Sequence, residues 1–580
     1  MWLLFACGCI CSDFKFSKNY QKIYFSTTSR TINNTFISNG AIKYHKHRMD
    51  IMEAKKDSIS NLSLIFCLLL SGLPMVQGEE RSDNYAIEKL VIGTTNQVED
   101  INVNDNTFTT YLETLLTKSL IRVDQSGNFV PALAESWETD DAEVWTFHLA
   151  KDATWHDGVP VTAEDIKFSL EYLPEKLGGS NWNIIESVQA PDNQTLVIDL
   201  DSPDGNFLTN LLMLRTLPKH IFENVADPKK FNEPESAIGC GPYKFMDFDK
   251  AAGLLRFQAY DGYYEGRPAV KEIDIRMFKN EDAMMMALLK GEIDAIYVYS
   301  GGISYYNVPQ IIESEELGYI LIENTGVPAA LWMNQDKEPY DDVRFREALS
   351  YAIDYEELVT LFTAGYGRTP TAGFIPDGSL NYVETRELSF NSTQAMNLLN
   401  ETGMVDVDGD GLRELADGNK FQPQILVKSD SESVRLGEIL KKYMNSVGLD
   451  AQIKVTDGSG FWEIVDAKRH EMFISRTTPW GMMMEAGYAT GYMDTRSNGW
   501  PMVDEPEFIE LVDSLLASSG DEETAKLARS VQEYYARELP AIALYWNDYV
   551  QPYNKKYQGY VADPIHGILS YETLFGLHPA

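Results

Sequence analysis

Cysteine is scarce in this chain of 580 residues, which contains five. Four lie near the amino terminus, namely Cys7, Cys9, Cys11 and Cys67, so the rest of the chain keeps Cys240 alone. A single thiol cannot form an internal disulfide. The fold must therefore be stabilised by burial of apolar side chains, and the chain is long enough to bury a large core.

Basic side chains are also in short supply. The chain carries 49 Lys and Arg against 87 Asp and Glu, a net charge of −38. Residues 1–78 hold nine basic and four acidic residues, so the remainder carries a net charge of −43. Such a surface repels nucleic acids and anionic membranes, which excludes polyanion binding as the function.

Signatures of catalysis are missing as well. The sequence has no nucleophile elbow of the form G-x-S-x-G and no P-loop. The eight His are scattered, and His470-Glu471 lacks the second His of a zinc-protease helix. His156 precedes an Asp-Gly pair, which favours a turn residue over a catalyst. We therefore expect no enzyme, and a secreted hydrolase is the disfavoured alternative.

The amino-terminal region is typical of an export signal. Lys55 and Lys56 precede an apolar run at 62–73, and small residues suited to cleavage follow at 76–78. We predict a signal peptide at 49–78 and an extracytoplasmic location, with an uncleaved anchor as the alternative. Residues 1–48 are then interpreted as a spurious or disordered extension upstream of the true start.

The hydrophobic pattern predicts an α/β protein with at least two lobes, since one core cannot serve this length. Strands are predicted at 89–93, 144–149, 195–200, 273–277, 319–323, 451–455 and 542–546. Helices are predicted at 281–290, 343–353, 433–447 and 522–538. Thr162 and Asp165 have the spacing of a capping box, with the Thr hydroxyl accepting the Asp165 N–H. The Met284 to Met286 cluster is predicted to pack in the core.

Four segments, in order, resemble one protein family. They read LAESWETDDAEVWTFHLAKDATWHDGVPVTAEDIKFSLEY (133–172), GCGPY (239–243), ALLKGEIDA (287–295) and YDDVRFREALSYAID (340–354). This series resembles the extracytoplasmic solute-binding proteins of peptide and nickel ABC importers, family 5. Cys240 replaces the Thr of the family's G-T-G-P-Y turn.

The resemblance implies an α/β, two-lobed periplasmic-binding-protein-like fold (type II, large cluster) with a discontinuous first lobe. Lobe I would span 79–325, lobe II 326–544, and the chain would return to lobe I at 545–580. The implied function is capture of a small charged solute by closure about a hinge near 326 and 545. Delivery to an ABC permease in the membrane would follow. We expect a monomer that requires no cofactor and does not bind nucleic acid.

The segment 476–500 is the best candidate for the second lobe's ligand contacts. It combines Trp, Tyr, Met, Arg and Gly without a regular period, which favours a cleft-lining loop over a surface loop. Its R-T-x-x-W-G opening resembles the nickel-binding branch, and it lacks the Asp cluster of the peptide binders. A metal chelate is therefore favoured, with an oligopeptide or dipeptide as the alternative. The predicted ligand-binding residues here are Arg476, Trp480, Tyr488 and Arg496.

In the first lobe, the resemblance implicates Arg215, where nickel binders carry an Arg that clamps ligand carboxylates, and Trp182, near the family's cleft tryptophan. The other interpretation of Arg215 is an ion pair with a neighbouring carboxylate.

The sequence DVDGDGLRELAD at 406–417 partly matches a calcium loop. Asp406, Asp408 and Asp410 stand at ligand positions 1, 3 and 5, but Asp417 stands where a bidentate Glu is expected. A structural calcium site is one interpretation, and a solvated turn is the other.

Overall fold

The computed structural model describes residues 85–103, 106–124, 128–177, 182–205, 207–212, 214–299, 301–324, 326–379, 381–477, 492–497, 499–518, 521–563 and 566–580. The predicted signal peptide and the extension before it lie outside these residues. Within them, no helix is long and apolar enough to span a bilayer.

The described strands are β1 (Ile87–Thr94), β2 (Ile121–Val123), β3 (Phe129–Pro131), β4 (Ala134–Glu138), β5 (Val144–Leu149), β6 (Ile185–Gln189), β7 (Thr195–Leu200), β8 (Tyr243–Asp249), β9 (Leu254–Ala259), β10 (Val270–Met277), β11 (Ala295–Ile296), β12 (Leu317–Ile322), β13 (Ala329–Met333), β14 (Gln424–Lys428), β15 (Gln452–Thr456), β16 (Met472–Ser475), β17 (Ala541–Tyr545), β18 (Tyr549–Asn554), β19 (Tyr557–Gln558) and β20 (His578–Pro579). The described α-helices are α1 (Asn106–Tyr111), α2 (Ala163–Leu177), α3 (Phe207–Leu211), α4 (Lys219–Phe222), α5 (Glu281–Leu289), α6 (Val308–Glu313), α7 (Val343–Ala352), α8 (Tyr355–Thr363), α9 (Ser392–Glu401), α10 (Ser431–Ser446), α11 (Gly458–Asp466), α12 (Pro506–Leu516), α13 (Asp521–Glu538) and α14 (Tyr571–Gly576). A π-helical turn, Leu112–Leu116, follows α1 directly.

The first lobe is built on a seven-stranded mixed sheet in the order β12-β18-β11-β1-β10-β9-β8. The central strand β1 runs parallel to both of its neighbours, β10 and β11. A four-stranded antiparallel sheet, β4-β5-β7-β6, forms a second layer of this lobe with a core of its own. Each sheet buries one apolar face, which is why the lobe contains more than one hydrophobic cluster.

The second lobe is built on a five-stranded sheet in the order β15-β14-β16-β13-β17. Its two faces are covered by separate apolar clusters, so β13 and β17 are buried along their whole length. The chain leaves the first lobe's sheet after β12 and returns to it with β18. The first lobe is therefore discontinuous, and the chain crosses between the lobes twice, at 323–328 and 546–548.

The strands and helices predicted from periodicity are present, with ends within a few residues of those expected. The Asp354 carboxylate caps α8 by accepting the Glu357 N–H at 3.0 Å. Two local expectations were wrong. Met286 is half exposed, because the helix α5 turns it away from the core that holds Met284. The Thr162 hydroxyl donates to the Asp165 carboxylate instead of accepting its N–H.

His156 joins two of the family-like segments. Its Nδ1 accepts the N–H of Gly239 at 3.2 Å, so its Nε2–H donates to the Gly241 carbonyl at 3.0 Å. Both glycines press against the π-helical turn: a Cβ on Gly239 would lie 1.7 Å from the Leu116 oxygen. The GCGPY segment therefore packs with its backbone close to the backbone of the π-helical turn. His156 is a structural residue of a turn, as predicted.

We expect Gly239→Ala to destabilise the fold by roughly 2 kcal/mol or more, because the methyl group meets backbone that cannot move freely. Gly458→Ala is the control, since a Cβ there meets nothing within 4 Å. Chemical denaturation measures both. Equal stability of the two variants would refute the packing argument.

Stability should also depend on pH through His156. Burial lowers the pKa of His156 from 6.5 to about 4, so between these values the unfolded chain binds a proton that the folded protein does not. The free energy of unfolding should therefore fall as pH drops through this window, by at most about 1.4 kcal/mol per pH unit for each such histidine. Burial lowers the pKa of His470 in the same way.

His156→Gln should flatten this slope in urea titrations at several pH values, whereas a His148→Gln control, at an exposed position of β5, should keep it. An unchanged slope in the His156 variant would contradict the assignment.

Candidate ligand-binding site between the lobes

The two crossing segments lie side by side. The Asn324 amide donates to the Asn547 side-chain oxygen at 3.2 Å, and this hydrogen bond joins the outgoing segment to the returning one. Val327 and Thr477 form two hydrogen bonds with each other. The Val327 N–H donates to the Thr477 hydroxyl oxygen at 2.7 Å, and the Thr477 N–H donates to the Val327 carbonyl at 2.9 Å. The end of β16 is therefore fixed against the first crossing segment.

A buried charge network holds the second crossing segment. Arg368 Nη1 lies 3.1 Å from the carboxylate of Asp548, which is 1% exposed, and Nη2 lies 2.5 Å from Asp377. Burial opposes the guanidinium charge, but the two carboxylates outweigh it and raise the pKa of Arg368. The backbones of Arg368 and Trp546 also exchange hydrogen bonds at 2.8 and 2.9 Å.

The loop that carries Arg368 reaches into the first lobe. Tyr366 is buried in an apolar cluster formed mainly by first-lobe residues, and its ring stacks on Tyr305 at 5.9 Å. The Tyr305 hydroxyl donates to the carbonyl of Asp548. One loop of the second lobe therefore contacts both the first lobe and the returning segment.

Arg476 lies at the junction of the lobes. It directly follows β16, its side chain is exposed, and no carboxylate of the described residues forms an ion pair with it. Its guanidinium faces Tyr549, at the start of β18 in the first lobe's sheet: burial raises the pKa of Tyr549, and the charge of Arg476 opposes that rise. Burial, reinforced by Arg476, lowers the pKa of Lys428 at the end of β14. Two neighbouring cations thus share this edge of the second lobe.

An aromatic surface adjoins these cations. Lys428 Nζ lies 4.7 Å from the ring centre of Trp462 and 5.0 Å from that of Phe461. Trp462 lies 5.6 Å from Trp500, which meets Trp332 edge-on at 4.8 Å. Partly exposed Trp rings beside Arg476 and Lys428 can bind apolar side chains and an anionic group of one solute.

Of the four predicted ligand-binding residues in the second lobe, the structure describes Arg476 and Arg496. Trp480 and Tyr488 lie outside the described residues. Arg496 is described, but its guanidinium binds Asp494 at 2.7 Å and Asp513 at 2.8 Å, and these hydrogen bonds raise the pKa of Arg496. Of the described candidates, Arg476 is therefore the one whose charge is not neutralised by a protein carboxylate.

In the first lobe, Arg215 has an ion-pair partner. Its Nε lies 3.5 Å from Glu113, and its Nη1 donates to the Val103 carbonyl at 2.8 Å. Burial raises the pKa of the Glu113 carboxyl, and Arg215 opposes that rise. Trp182 is partly buried against the core of the four-stranded sheet. Ligand contacts by Arg215 and Trp182 stay predictions.

The aspartate loop brings three carboxylates together. Oxygens of Asp406, Asp408 and Asp410 lie within 4.8 Å of one another, whereas Asp417 is not in this group. The Lys420 ammonium lies 2.8 Å from Asp410 and 3.5 Å from Asp408, so it neutralises part of their charge. The calcium interpretation stays a prediction.

Sequence reasoning did not identify Lys428, Trp462 or the Arg368 network. Lys428 ends a strand and Trp462 lies in a helix, and neither position is unusual in the sequence. A Lys at the end of the apolar run of β14 was the available signal. Their proximity to Arg476 arises from the order of β14 and β16 in the sheet, which periodicity does not encode.

Comparison with known proteins now identifies the group to which this fold and site belong. The sequence profile of the bacterial extracellular solute-binding proteins, family 5, matches residues 128–499. The chain belongs to this family. Family 5 proteins are extracytoplasmic transport components, and this chain is a substrate-binding protein of an ABC importer.

Three family 5 relatives illustrate the range of ligands. The oligopeptide-binding protein AppA of Bacillus subtilis is 26% identical over 446 residues, which cover 71% of this chain and 78% of AppA. Its structure with a nonapeptide has a TM-score of 0.67 at 21% identity, covering 86% of this chain and 99% of that one. The Escherichia coli dipeptide-binding protein is 23% identical over 470 residues, 75% of this chain and 84% of its own. NikZ of Campylobacter jejuni, solved with Ni(L-His), has a TM-score of 0.64 at 25% identity, covering 81% of this chain and 95% of that one.

These relatives back the peptide alternative better than the metal chelate that the R-T-x-x-W-G segment favoured. Most of the similar curated proteins are named as peptide binders, and the similar structures include one complex with Ni(L-His) and one with Fe(III)-EDTA. The preference for nickel is therefore not confirmed.

We expect Arg368→Met to destabilise this family 5 protein by about 3 to 5 kcal/mol, because it leaves the buried Asp548 carboxylate without its cation. Arg344→Ala, which removes an exposed pair with Asp342, should cost at most about 1 kcal/mol. Denaturant unfolding of both variants measures the difference, and similar losses would show that the crossing network is not a buried pair.

Proposed function

We propose that this protein captures peptides outside the cytoplasm and presents them to the membrane permease of its ABC importer. The peptide lies between the lobes, against the edge formed by Arg476, Lys428 and Trp462. The observation that carries this proposal is the uncompensated charge of Arg476 at the lobe junction, in a protein with 87 acidic residues.

A free peptide carboxylate fits this edge. A guanidinium can donate two parallel hydrogen bonds to a carboxylate, and Lys428 adds a second positive charge. The neighbouring Trp rings offer faces for side chains without selecting one sequence. Such a site favours a terminal carboxylate, which every peptide has, over any particular residue.

Capture follows from closure of the lobes about the segments 323–328 and 546–548. A ligand closes them only by binding the closed form more tightly than the open one, and about 5.5 kcal/mol of difference inverts a 1:99 population. No bond of the solute changes. A peptide that touches Arg476 in one lobe and the Tyr549 side in the other supplies such a difference.

Arg476→Ala should raise the Kd for peptides about tenfold or more, the equivalent of ~1.4 kcal/mol, because it removes the donor to the terminal carboxylate. Isothermal titration calorimetry with synthetic peptides, from dipeptides to nonapeptides, is the measurement. Arg469→Ala is the matched control: Arg469 precedes β16, is exposed and pairs with Glu463 at 2.8 Å.

Equal peptide affinities of the Arg476 and Arg469 variants would remove Arg476 from the site. Heat from Ni²⁺–histidine and none from any peptide would instead favour the metal chelate. Native mass spectrometry of the protein as purified gives an independent reading, because a bound peptide and a bound nickel chelate differ in mass and in metal content.

A further inference from the structure

The first lobe contains a cavity between the segment 113–132 and the carboxyl-terminal segment 563–572. Its interior volume is about 60 Å³, and it opens to solvent at its mouth. Leu212 completes the lining, so all of the lining residues belong to the first lobe. The cavity is therefore built independently of the Arg476 edge, which belongs to the second lobe.

Three acidic side chains at this cavity each have a basic partner. The pairs are Glu572 with Arg122 at 3.0 Å, Glu113 with Arg215 at 3.5 Å, and Asp563 with His566 at 3.4 Å. Burial disfavours the imidazolium, but Asp563 outweighs this effect and raises the pKa of His566. The charges within these pairs offset one another.

Lys118 is the remaining basic side chain at the cavity. It lines the cavity, is 7% exposed, and forms no ion pair with any carboxylate in the described part of the chain. Its ammonium lies 4.7 Å from the ring centre of Tyr571 and 5.8 Å from that of Tyr263. Burial lowers the pKa of Lys118 to about 8, with Glu265 opposing and Arg122 reinforcing the shift, so the group is still charged at neutral pH.

The Tyr571 ring also contacts Arg122, whose guanidinium carbon lies 4.4 Å from the ring centre. The Arg122 Nε is buried and has no hydrogen-bond partner among the described residues, but Glu572 offsets the charge of this guanidinium. Stacking on an aromatic ring recovers roughly 0.5 to 2 kcal/mol, less than the desolvation of an ammonium costs. An anion in the cavity would supply the missing compensation.

We propose that the first-lobe cavity binds the carboxylate of a free small acid, with the Lys118 ammonium as its donor. The proposed function assigns the terminal carboxylate of a peptide to Arg476 in the second lobe, so this is an additional site.

The test compares the full chain with Lys118→Met, which removes the charge at similar volume, and Lys118→Arg, which keeps it. Thermal unfolding is followed at about pH 7 in sodium acetate and in sodium chloride of equal ionic strength. Calorimetry then compares trialanine with its carboxyl-terminal amide. Lys176→Met is the matched control, because Lys176 contacts the Tyr172 ring at 5.8 Å far from the cavity lining.

If acetate raises the Tm of the wild type, the Arg variant and the control but not of the Met variant, the site binds free carboxylates. The effect should then weaken at about pH 9, above the Lys118 pKa of about 8. If acetate acts no differently from chloride, and trialanine binds about tenfold more tightly than its amide only while Lys118 is charged, Lys118 binds the peptide and the additional site is refuted.

The inference is overturned if the acetate effect does not depend on Lys118. Peptide binding that requires Arg476, in a protein that shows no such acetate effect, would leave the proposed function intact and refute this site. An acetate effect that requires Lys118, in a protein that binds no peptide, would support this site and refute the proposed function.

Discussion

Arg368 lies between the carboxylates of Asp548 and Asp377 at the point where the chain returns to the first lobe. Two short segments join the lobes, so any movement of one lobe against the other must bend these segments. The buried ion pair fixes the position of one of them. An exposed ion pair would be too weak for that role, but a desolvated one whose disruption leaves a buried charge constrains the backbone strongly. The returning segment is therefore bound at Asp548 to the loop of Arg368, and Tyr366 of the same loop packs into the first lobe.

In so acidic a chain, a basic side chain that forms no ion pair with a carboxylate is informative about ligand binding. Many basic side chains of the described residues form an ion pair with a carboxylate. Arg476 and Lys118 are among those that do not, and they lie in different lobes and different surroundings. Arg476 is exposed at the lobe junction, where a mobile solute can reach it. Lys118 is buried against aromatic rings, where water solvates it poorly and an anion would be bound more strongly.

The fold was largely predictable because its signals are local. Alternating apolar residues identified β5 and β7 to the residue. The site was less predictable. Arg215 could be a ligand clamp or a partner of a carboxylate, and only the structure places Glu113 beside it, 102 positions away in sequence. Arg496 likewise looked available until Asp494 and Asp513 were seen to bind it.

The sequence by itself determined the α/β class, the family, the two-lobed arrangement and the acidic character, since these depend on periodicity, ordered motifs and composition. It also identified Arg476 as a candidate. The tertiary structure alone decided which charges are neutralised and which are not, because ion pairing depends on atoms within a few ångströms contributed by distant parts of the chain. For the same reason, the neighbourhood of Lys118, Arg122 and Tyr571 emerges only when the carboxyl-terminal segment packs against β2.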